Sequence, residues 1–432
     1  MSQIDFGSDQ PPGLEDLDRD LLIPPARYTT PEFAALERAH LWSRVWLVAG
    51  VHLDVAKPGD YFAFDFGHES ILVTCDEDGT VKAFHNICQH RGHTLADPGS
   101  GHCDRFVCPY HGWEWDTGGT LRKIPLAARF PQGFQANRRK LAPVACEIFA
   151  GLVWICLREP EVSLAEFLGP IYRHVQPYHA EAFQVNWDWT AEWGCNWKTA
   201  IDGFNDTYHG PATHPQFSAF IDTTAARFQY GDMHSLFVIE HGVRTGKDAA
   251  AEIGEPMASA LRRAGINPAQ YAGRHEEARA RLAAHRRAEA TKHGWDASGL
   301  LDGQLTDTHH FYVFPNVHID FHGANALTIQ RFRPHASNPD QCLVDVIDLK
   351  RVPKHGTLKR TAHVHVPLGQ PQHGIVYVQD IERLTRIQKG LHSSGFSGAL
   401  LSDMERRISH MHLSIDRWLA PHVPDALRTR LT

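Results

Sequence analysis

The chain has 432 residues, more than a single hydrophobic core usually serves, so we expect two domains. Hydrophobic residues make up 42% and charged residues 22% of the chain, as in an ordinary globular protein. The net charge of −7 argues against a nucleic-acid partner, because such proteins present a basic face, and no apolar run is long enough to cross a bilayer.

The N-terminal stretch MSQIDFGSDQPPGLEDLDRD is acidic and polar and lacks the apolar region of a signal peptide. We therefore expect a cytoplasmic protein, whose thiols stay reduced. The chain has 8 cysteines and 30 histidines. Several of the cysteines cluster between positions 75 and 108, which suggests a local metal site rather than a disulfide framework.

Residues 1–42 are predicted to form an arm and a helix that packs on the second domain, with Thr30 as the N-cap and Pro31 in the first turn. Residues 43–160 contain short apolar runs such as YFAFDF, SILVTC and GLVWICL, separated by turns rich in Gly, Asp and Pro. This pattern predicts a small all-β domain of antiparallel strands.

Residues 161–432 mix strand-like runs, such as CLVDVIDLKRV, with helical ones, such as NWKTAIDGFNDTYH and DIERLTRIQKGL. A segment rich in Ala, Arg and Glu at about 240–305 is predicted to be a helical insertion with a charged, solvated face. The predicted fold class is therefore α+β, with the all-β domain followed by a larger domain of antiparallel sheet and helices.

Two short motifs in the β domain, CQHRGH and CPYHGW, each combine cysteine and histidine, as Cys88-x-His90 and Cys108-x-x-His111. Zinc modules more often combine cysteine pairs with histidine pairs. In a Rieske [2Fe–2S] cluster, two cysteines hold one iron and two histidines hold the other. The alternation therefore favours a Rieske cluster, with a zinc site or buried structural thiols as the alternatives.

A second set of candidate ligands lies in the stretch DTYHGPATHP, which contains His209 and His214. On a continuous helix, side chains five residues apart would point in different directions. Gly210 and Pro211 intervene, however, and Pro211 is predicted to end a helix so that the following loop returns His214 to the same metal. Two histidines and one carboxylate form the facial triad of Fe(II) oxygenases, which leaves positions for O₂ and substrate.

With CQHRGH, CPYHGWEWDTGGTL and the spaced pattern NWK…D-x-Y-H-x4-H-P, the chain resembles the Rieske non-haem iron oxygenases, specifically the large (α) subunit of ring-hydroxylating oxygenases. The resemblance implies two ligand sets: Cys88, His90, Cys108 and His111 for the cluster, and His209 and His214 for a mononuclear iron. Gly203 stands where many members of the family carry Asn, so no polar role is assigned to this position.

Asp206 lies three residues before His209, which predicts that the two share a helical face. The resemblance implies that Asp206 is a bridging carboxylate, hydrogen-bonded to His209 and to the cluster ligand His111 of a neighbouring subunit. Such a group would orient the iron ligand and offer a path for electrons.

The resemblance implies that the third iron ligand is Asp380, within VYVQDIERLTRIQKGL. The local pattern alone favours a different role, because an Asp before an amphipathic helix is commonly its N-cap. Asp403 and Glu382 are the alternative ligands.

The resemblance also implies an enzyme, the terminal component of a multicomponent oxygenase. Electrons would come from NAD(P)H through a separate reductase, with or without a ferredoxin, since no GxGxxG fingerprint occurs in this chain. The expected assembly is a head-to-tail homotrimer or a multiple of it, with or without a small β subunit.

The expected reaction is hydroxylation or dihydroxylation of an apolar, aromatic or polycyclic substrate, with oxidative N- or O-demethylation as the alternative. Five aromatic residues are candidates for the lining of an apolar pocket, although such side chains more often belong to the core: Phe204, Phe217, Phe220, Phe311 and Phe314. More remote alternatives are a pure electron carrier and a zinc-binding interaction protein, and the second metal motif argues against both.

Overall fold

The computed structural model describes residues 6–12, 21–131, 139–219, 227–241, 252–371 and 374–431. The chain divides into two compact units. We call Arg38–Phe167 the β unit, and Met1–Glu37 together with Leu168–Thr432 the α+β unit. No helix among the described residues combines the length and apolar character needed to span a membrane.

The strands are numbered in chain order. They are β1 Leu21–Ile23, β2 Leu47–Val51, β3 Asp60–Phe66, β4 Glu69–Cys75, β5 Val81–His85, β6 Gly99–His102, β7 Arg105–Val107, β8 Glu114–Asp116, β9 Leu121–Lys123, β10 Pro143–Phe149, β11 Leu152–Cys156, β12 Phe183–Trp193, β13 Arg227–Tyr230, β14 Ser235–Ile239, β15 Thr308–Val313, β16 Val317–His322, β17 Ala326–Pro334, β18 Cys342–Arg351, β19 Val364–Val366, β20 Ala399–Leu400 and β21 Arg430–Leu431.

The α-helices are numbered in the same way. They are α1 Ala26–Thr29, α2 Pro31–Glu37, α3 Leu164–Leu168, α4 Pro170–Val175, α5 Trp197–Asn205, α6 Gly210–Thr213, α7 Met257–Arg263, α8 His275–Lys292, α9 Asp302–Thr306, α10 Ile375–Leu391 and α11 Arg406–Leu419. Thr30 precedes α2, and its hydroxyl accepts a hydrogen bond from the amide of Phe33 at 3.4 Å.

The β unit contains two antiparallel sheets. One has the strand order β2-β11-β10-β5-β4-β3-β6, and the other has the order β7-β8-β9. Side chains alternate between the faces of a strand, so Phe106 of β7 is buried between two exposed neighbours. The core that these strands bury includes Phe84, Cys88, Phe106, Cys108, Trp113 and Trp115. Both motif cysteines therefore lie in a packed core rather than on the surface.

The α+β unit is built on an eight-stranded sheet with the order β13-β14-β15-β16-β17-β18-β12-β19. Its strand pairs are antiparallel except for β12 and β19. The register places His310 opposite Asp320 and His318 opposite Gln330. Because side chains alternate along a strand, these four residues share one face of the sheet, which we call the helix-side face.

Helices α5, α10 and α11 contact the helix-side face. The contacts are a ring contact of Phe204 with His318 at 6.3 Å, a hydrogen bond from Gln330 to the hydroxyl of Tyr377 at 2.8 Å, and a hydrogen bond from Arg407 to His310 at 3.1 Å. The predicted α+β class, with an all-β domain and a larger sheet-and-helix domain, is confirmed.

The segment between β14 and β15 combines helices with turns and loops where it is described. It contains α7, α8 and α9, and α7 and α8 bury a small core that includes Met257, Leu261, Ala278 and Leu282. Residues 242–251 of the predicted insertion lie outside the described residues.

Candidate metal centres

Two loops of the β unit share one backbone hydrogen-bonding pattern, beginning at Cys88 and at Cys108. In each loop the cysteine amide donates to the carbonyl five residues on, at 2.8 Å. Gly92 and Gly112, four residues after the cysteines, donate back to the cysteine carbonyls at 3.0 and 2.8 Å. Their φ angles of 78° and 69° favour glycine. The two cysteines are therefore presented by equivalent tight turns.

The side chains on these loops form a set of two sulfur and two nitrogen donors. Cys88 and Cys108 are 1% and 2% exposed, and the rings of His90 and His111 lie 4.5 Å apart. His90 stacks on Trp113 at 4.7 Å, and its Nδ1 is buried without a hydrogen-bond partner among the described residues. A buried nitrogen without a partner is costly unless it binds something. This donor set fits a [2Fe–2S] cluster of the Rieske type.

Helix α5 ends at Asn205, which is earlier than the sequence predicted. Oδ1 of Asp206 accepts hydrogen bonds from the amides of Tyr208 at 2.5 Å and His209 at 3.3 Å. Such an Asx turn competes with helix continuation. The expectation that Asp206 and His209 share a helical face is therefore wrong. The two side chains nevertheless meet, because Oδ2 of Asp206 lies 2.9 Å from Nδ1 of His209.

The connection between the two histidines also differs from the expectation that Pro211 ends a helix. Pro211 instead lies in the first turn of the short helix α6, where its missing N–H is not needed. The amide of His214 donates to the carbonyl of Gly210 at 2.8 Å. A single helical turn therefore brings the rings of His209 and His214 to 5.1 Å.

The His, Cys, Asp and Glu side chains can each offer one ligand atom to a metal. Among the described residues, one group of three such side chains has all its ligand atoms within 4.8 Å of one another, and it consists of His209, His214 and Asp380. Oδ1 of Asp380 is 2.8 Å from Nε2 of His214 and 3.9 Å from Nε2 of His209. The side chain of His209 is 26% exposed, whereas the other two are buried. Two imidazoles and one carboxylate are the donors of a facial triad, so the residues fit a mononuclear iron.

The nitrogens that face away from Asp380 are held by neighbouring side chains. Asp206 contacts Nδ1 of His209, and Oε1 of Gln379 lies 2.8 Å from Nδ1 of His214. Such contacts fix the ring orientation and leave Nε2 directed at a metal. Sequence reasoning missed Gln379, and its position directly before Asp380 was the only available signal.

Asp380 and Gln379 also affect the protonation of His214. Burial alone would lower the pKa of His214, but hydrogen bonds to Asp380 and Gln379 outweigh it and raise this pKa above the usual value. Since a metal ligand must be deprotonated, a bound cation would take the place of this proton.

Asp380 lies inside helix α10, which begins at Ile375. The interpretation of Asp380 as an N-cap is therefore wrong, because the helix starts at Ile375, six residues before the start at Ile381 that an N-cap at Asp380 would give. The alternative ligand Glu382 instead forms ion pairs with Arg383 and Arg386.

The predicted aromatic side chains are dispersed. The ring of Phe217 lies 5.4 Å from that of His214, and Phe204 contacts the helix-side face. Phe311 packs on the opposite side with Phe6 and Phe321, and Phe314 stacks on Trp418. Phe220 lies outside the described residues. Of the four predicted aromatic residues that the structure describes, Phe204 lies on α5, which leads to the triad, and Phe217 lies next to His214.

The fold and the two donor sets together define a protein with a Rieske domain and a separate mononuclear centre. Residues 45–138 match the family model described as "Rieske [2Fe-2S] domain". Residues 180–421, more than half of the chain, match "Ring hydroxylating alpha subunit (catalytic domain)". The chain therefore belongs to the family of ring-hydroxylating α subunits, as the sequence motifs predicted.

Curated relatives include enzymes with different substrates. The glycine betaine monooxygenase oxygenase subunit of Pseudomonas aeruginosa is 27% identical over 203 residues, 47% of this chain and 47% of that protein. The α subunit of benzene 1,2-dioxygenase of Pseudomonas putida is 31% identical over 199 residues, 44% of each. The chain thus aligns with about half the length of the curated relatives it matches.

The same fold occurs in solved structures. The structure of a quaternary ammonium Rieske monooxygenase that oxidises carnitine gives a TM-score of 0.70 at 17% identity. The match covers 93% of this chain and 96% of that one.

Proposed function

We propose that this chain is the terminal oxygenase component of a multicomponent Rieske oxygenase, which hydroxylates a small organic substrate with O₂. The convergence of His209, His214 and Asp380 within 4.8 Å carries the proposal. A pure electron carrier would need only the set of two cysteines and two histidines, and a zinc-binding interaction protein would not need the triad in addition to that set.

The residues have distinct roles in this proposal. Cys88, His90, Cys108 and His111 would hold the cluster, and His209, His214 and Asp380 would hold the mononuclear iron. The iron would supply O₂ activation, and the cluster would store electrons for it. Asp206 keeps His209 oriented through Nδ1, and Gln379 does the same for His214. The side chain of His209 is partly exposed, so solvent reaches this side of the triad.

We propose a second role for Asp206, in which its carboxylate also contacts the cluster ligand His111 of a neighbouring subunit. The assembly would be a homotrimer or a multiple of one. His111 is exposed on its loop, and Asp206 already contacts His209. Electrons would come from NAD(P)H through a separate reductase, with or without a ferredoxin. A small β subunit is compatible with this assembly.

Removing Asp380 tests the proposal directly. Asp380→Ala deletes the carboxylate donor of the triad, so we expect the mononuclear iron to be lost while the red-brown absorption of the cluster remains. Iron per protomer, measured alongside the visible spectrum, should fall from three to two. Reductase-driven O₂ consumption should fall to background.

Glu382→Ala is the matched control, because it removes an exposed carboxylate from the same helix. It should keep full iron content. If Asp380→Ala also retained all three iron atoms, the assignment of the triad would be wrong.

Two reactions are compatible with the triad, and each is supported by one of the curated relatives. The similarity to benzene dioxygenase supports ring hydroxylation or dihydroxylation of an apolar substrate. The similarity to glycine betaine monooxygenase supports oxidative removal of an N-methyl group. Mass spectrometry of products, together with an assay for formaldehyde, distinguishes a ring diol from a demethylated amine.

A further inference from the structure

Helix α10 buries a single line of side chains. Its buried residues are Asp380, Leu384, Gln388 and Leu391, which follow one another at intervals of three or four residues. Side chains at these intervals lie on the same face of a helix. The proposed iron ligand Asp380 therefore shares its face with Leu384 and Gln388, and whatever these two residues contact also sets the position of Asp380.

This face of α10 contacts helix α5, and the two helices run in opposite chain directions at the contact. Oε1 of Gln388 accepts a hydrogen bond from the hydroxyl of Thr199 at 2.8 Å. One turn later on α5, Gly203 faces Leu384, which lies one turn earlier on α10. A further turn back along α10 leads to Asp380, which approaches the two histidines of the triad. Gly203 and Leu384 therefore form the middle contact, between a hydrogen bond and the proposed iron site.

Leu384 occupies the space that a side chain at position 203 would need. A Cβ atom on Gly203 would lie 3.0 Å from Cδ2, 3.3 Å from Cδ1 and 3.6 Å from Cγ of Leu384. Carbon atoms in favourable contact are about 3.5–4.0 Å apart. The distance between neighbouring helices depends on the side chains at their contact. Glycine at this position therefore allows an approach of α10 to α5 that any larger residue would oppose.

The surroundings of Leu384 indicate which part of the structure would move. Leu384 is 5% exposed, and protein interiors are close-packed, so its side chain has little free space. The opposite face of α10 is open, because Val378, Glu382 and Lys389 are exposed. A side chain at position 203 would therefore push α10 outward, and Asp380 would move with the helix.

The proposed iron site is sensitive to such a movement. Oδ1 of Asp380 lies 2.8 Å from Nε2 of His214 across the helix pair. Ligand distances in metal sites stay within about 0.2 Å of their usual values. Relieving the contact between a Cβ at position 203 and Cδ2 of Leu384 needs a shift of roughly 0.5 Å. The shift exceeds the tolerance of the site, so the metal would lose affinity.

Building on the oxygenase function proposed above, we propose that Gly203 and Leu384 are a positioning pair for the mononuclear iron. The absent side chain of Gly203 admits Leu384, and the close approach of α10 brings Asp380 to the two histidines. Many members of the family carry Asn at the position of Gly203, and in this chain Leu384 fills the space that such a side chain would take.

The Fe(II) affinity of the full-length protein with its cluster loaded tests this proposal. Gly203→Asn introduces the side chain that many family members carry, and we expect it to weaken Fe(II) binding at the mononuclear site at least tenfold. Gly203→Ala adds only Cβ, and its affinity should fall between those of Gly203→Asn and the unmodified chain. Competition with a chelator measures the affinity, and the red-brown absorption verifies that the cluster is retained.

A second substitution separates positioning from a general loss of stability. Leu384→Ala removes Cγ, Cδ1 and Cδ2, the three atoms that a side chain at position 203 would meet. The double variant Gly203→Asn with Leu384→Ala should therefore bind Fe(II) at least tenfold more tightly than Gly203→Asn alone. Two substitutions that only destabilised the fold would instead weaken binding further when combined.

Gly194→Ala is the matched control, because it adds the same atom beside the same helix. A Cβ on Gly194 would lie 3.7 Å from Cγ2 of Thr385 on α10, which is an ordinary contact distance. This variant should keep the Fe(II) affinity of the unmodified chain.

Failure of this proposal can be distinguished from failure of the oxygenase proposal. If Gly203→Asn bound Fe(II) as tightly as the unmodified chain, if the double variant recovered no affinity, or if Gly194→Ala lost as much affinity as Gly203→Asn, the positioning pair would be wrong and the triad would stand. If the unmodified chain bound no iron beyond the cluster, the oxygenase proposal would fail, and the positioning pair with it.

Discussion

Asp206 illustrates at the scale of one residue how a side chain sets the geometry of the candidate iron site. One oxygen accepts hydrogen bonds from the amides of Tyr208 and His209, and the other contacts Nδ1 of His209. The first pair of contacts ends helix α5, and the second fixes the imidazole ring. A substitution at Asp206 therefore changes both the local backbone and the orientation of a proposed ligand.

Asp206→Asn and Asp206→Ala separate these two effects. Both should retain the iron, because neither removes a member of the triad. Both should reduce O₂ consumption at least tenfold, in line with the roughly 10–100-fold effect of losing a group that orients a metal ligand. Asn can still accept the two amide hydrogen bonds, so only the Ala variant should lose about 1 kcal/mol of stability.

Iron content, melting temperature and reductase-driven turnover are the three measurements for these variants. Loss of iron in Asp206→Asn would contradict the bridging role and would indicate that Asp206 is itself a ligand.

The residues of the candidate sites differ in how far they could be predicted. The Cys-x-His and Cys-x-x-His motifs are local, and their chemistry follows from residue types alone. The role of Asp380 required the family resemblance, because its partners His209 and His214 lie far away in the sequence. Gln379 was missed, because nothing in its local sequence indicates which distant side chain it approaches.

At the scale of secondary-structure elements, Gln388 connects α10, which carries Asp380, with α5, which precedes the two histidines of the triad. Its Oε1 accepts hydrogen bonds from the amide of Asn196 at 3.0 Å and the hydroxyl of Thr199 at 2.8 Å, at the start of α5. Its Nε2 donates to Asp340 at 2.6 Å. Gln388 is 3% exposed, so no water can readily replace these contacts.

Gln388→Ala should therefore destabilise the junction of α5 and α10. Each buried group left without a partner costs about 1–3 kcal/mol, so we expect a clear fall in melting temperature. Iron affinity should fall as well, because Asp380 is on α10 and the two histidines follow α5. Arg386→Ala is the control, since Arg386 is an exposed residue of the same helix and such changes stay within about 0.5 kcal/mol. Unchanged melting and iron affinity in Gln388→Ala would show that the two helices are held by apolar packing alone.

The elements themselves were predicted with unequal success. Strands of the β unit followed from alternating apolar runs bounded by turns, because both signals are local. The ends of α5 and α10 were placed wrongly. An Asx turn at Asp206 ends the first, and α10 begins at Ile375, in a stretch without a capping side chain. Helix ends depend on such individual contacts, which periodicity does not report.

At the scale of the whole molecule, the α+β unit buries histidines that lie outside the triad, including His309, His318, His410 and His412. Burial lowers the pKa of His309 to about 3 and that of His410 to about 4. It lowers the pKa of His310, His318 and His412 well below the usual value. Burial also raises the pKa of Asp202 to about 8. This shift favours the folded chain as the pH falls, whereas the lowered pKa values of the histidines favour the unfolded chain.

These shifts predict that the protein loses stability as the pH falls from about 6.5 to about 4. In this window the unfolded chain protonates its histidines and the folded chain keeps the buried ones neutral, so the unfolded state binds more protons. Each such histidine contributes up to about 1.4 kcal/mol per pH unit. Asp202 gives a slope of opposite sign from about pH 4 to about pH 8, because its folded form keeps a proton that the unfolded form releases. Burial also raises the pKa of Asp307, Asp320 and Glu405, and these groups act in the same sense as Asp202. The buried histidines with a lowered pKa outnumber these four carboxyl groups, so the net effect of acid is destabilising.

His410→Gln isolates one histidine from this sum. His410 contacts the carbonyl of Asp232 at 3.0 Å, and an amide nitrogen can donate the same hydrogen bond without titrating. Urea unfolding at pH 4.5, 5.5 and 6.5 should therefore show a shallower dependence of the unfolding free energy on pH, by up to about 1.4 kcal/mol per unit. His179→Gln, at an exposed position, should keep the original dependence. If His410→Gln had the same slope as the unmodified chain, His410 would be protonated in the folded state, and the acid sensitivity would have to come from other groups.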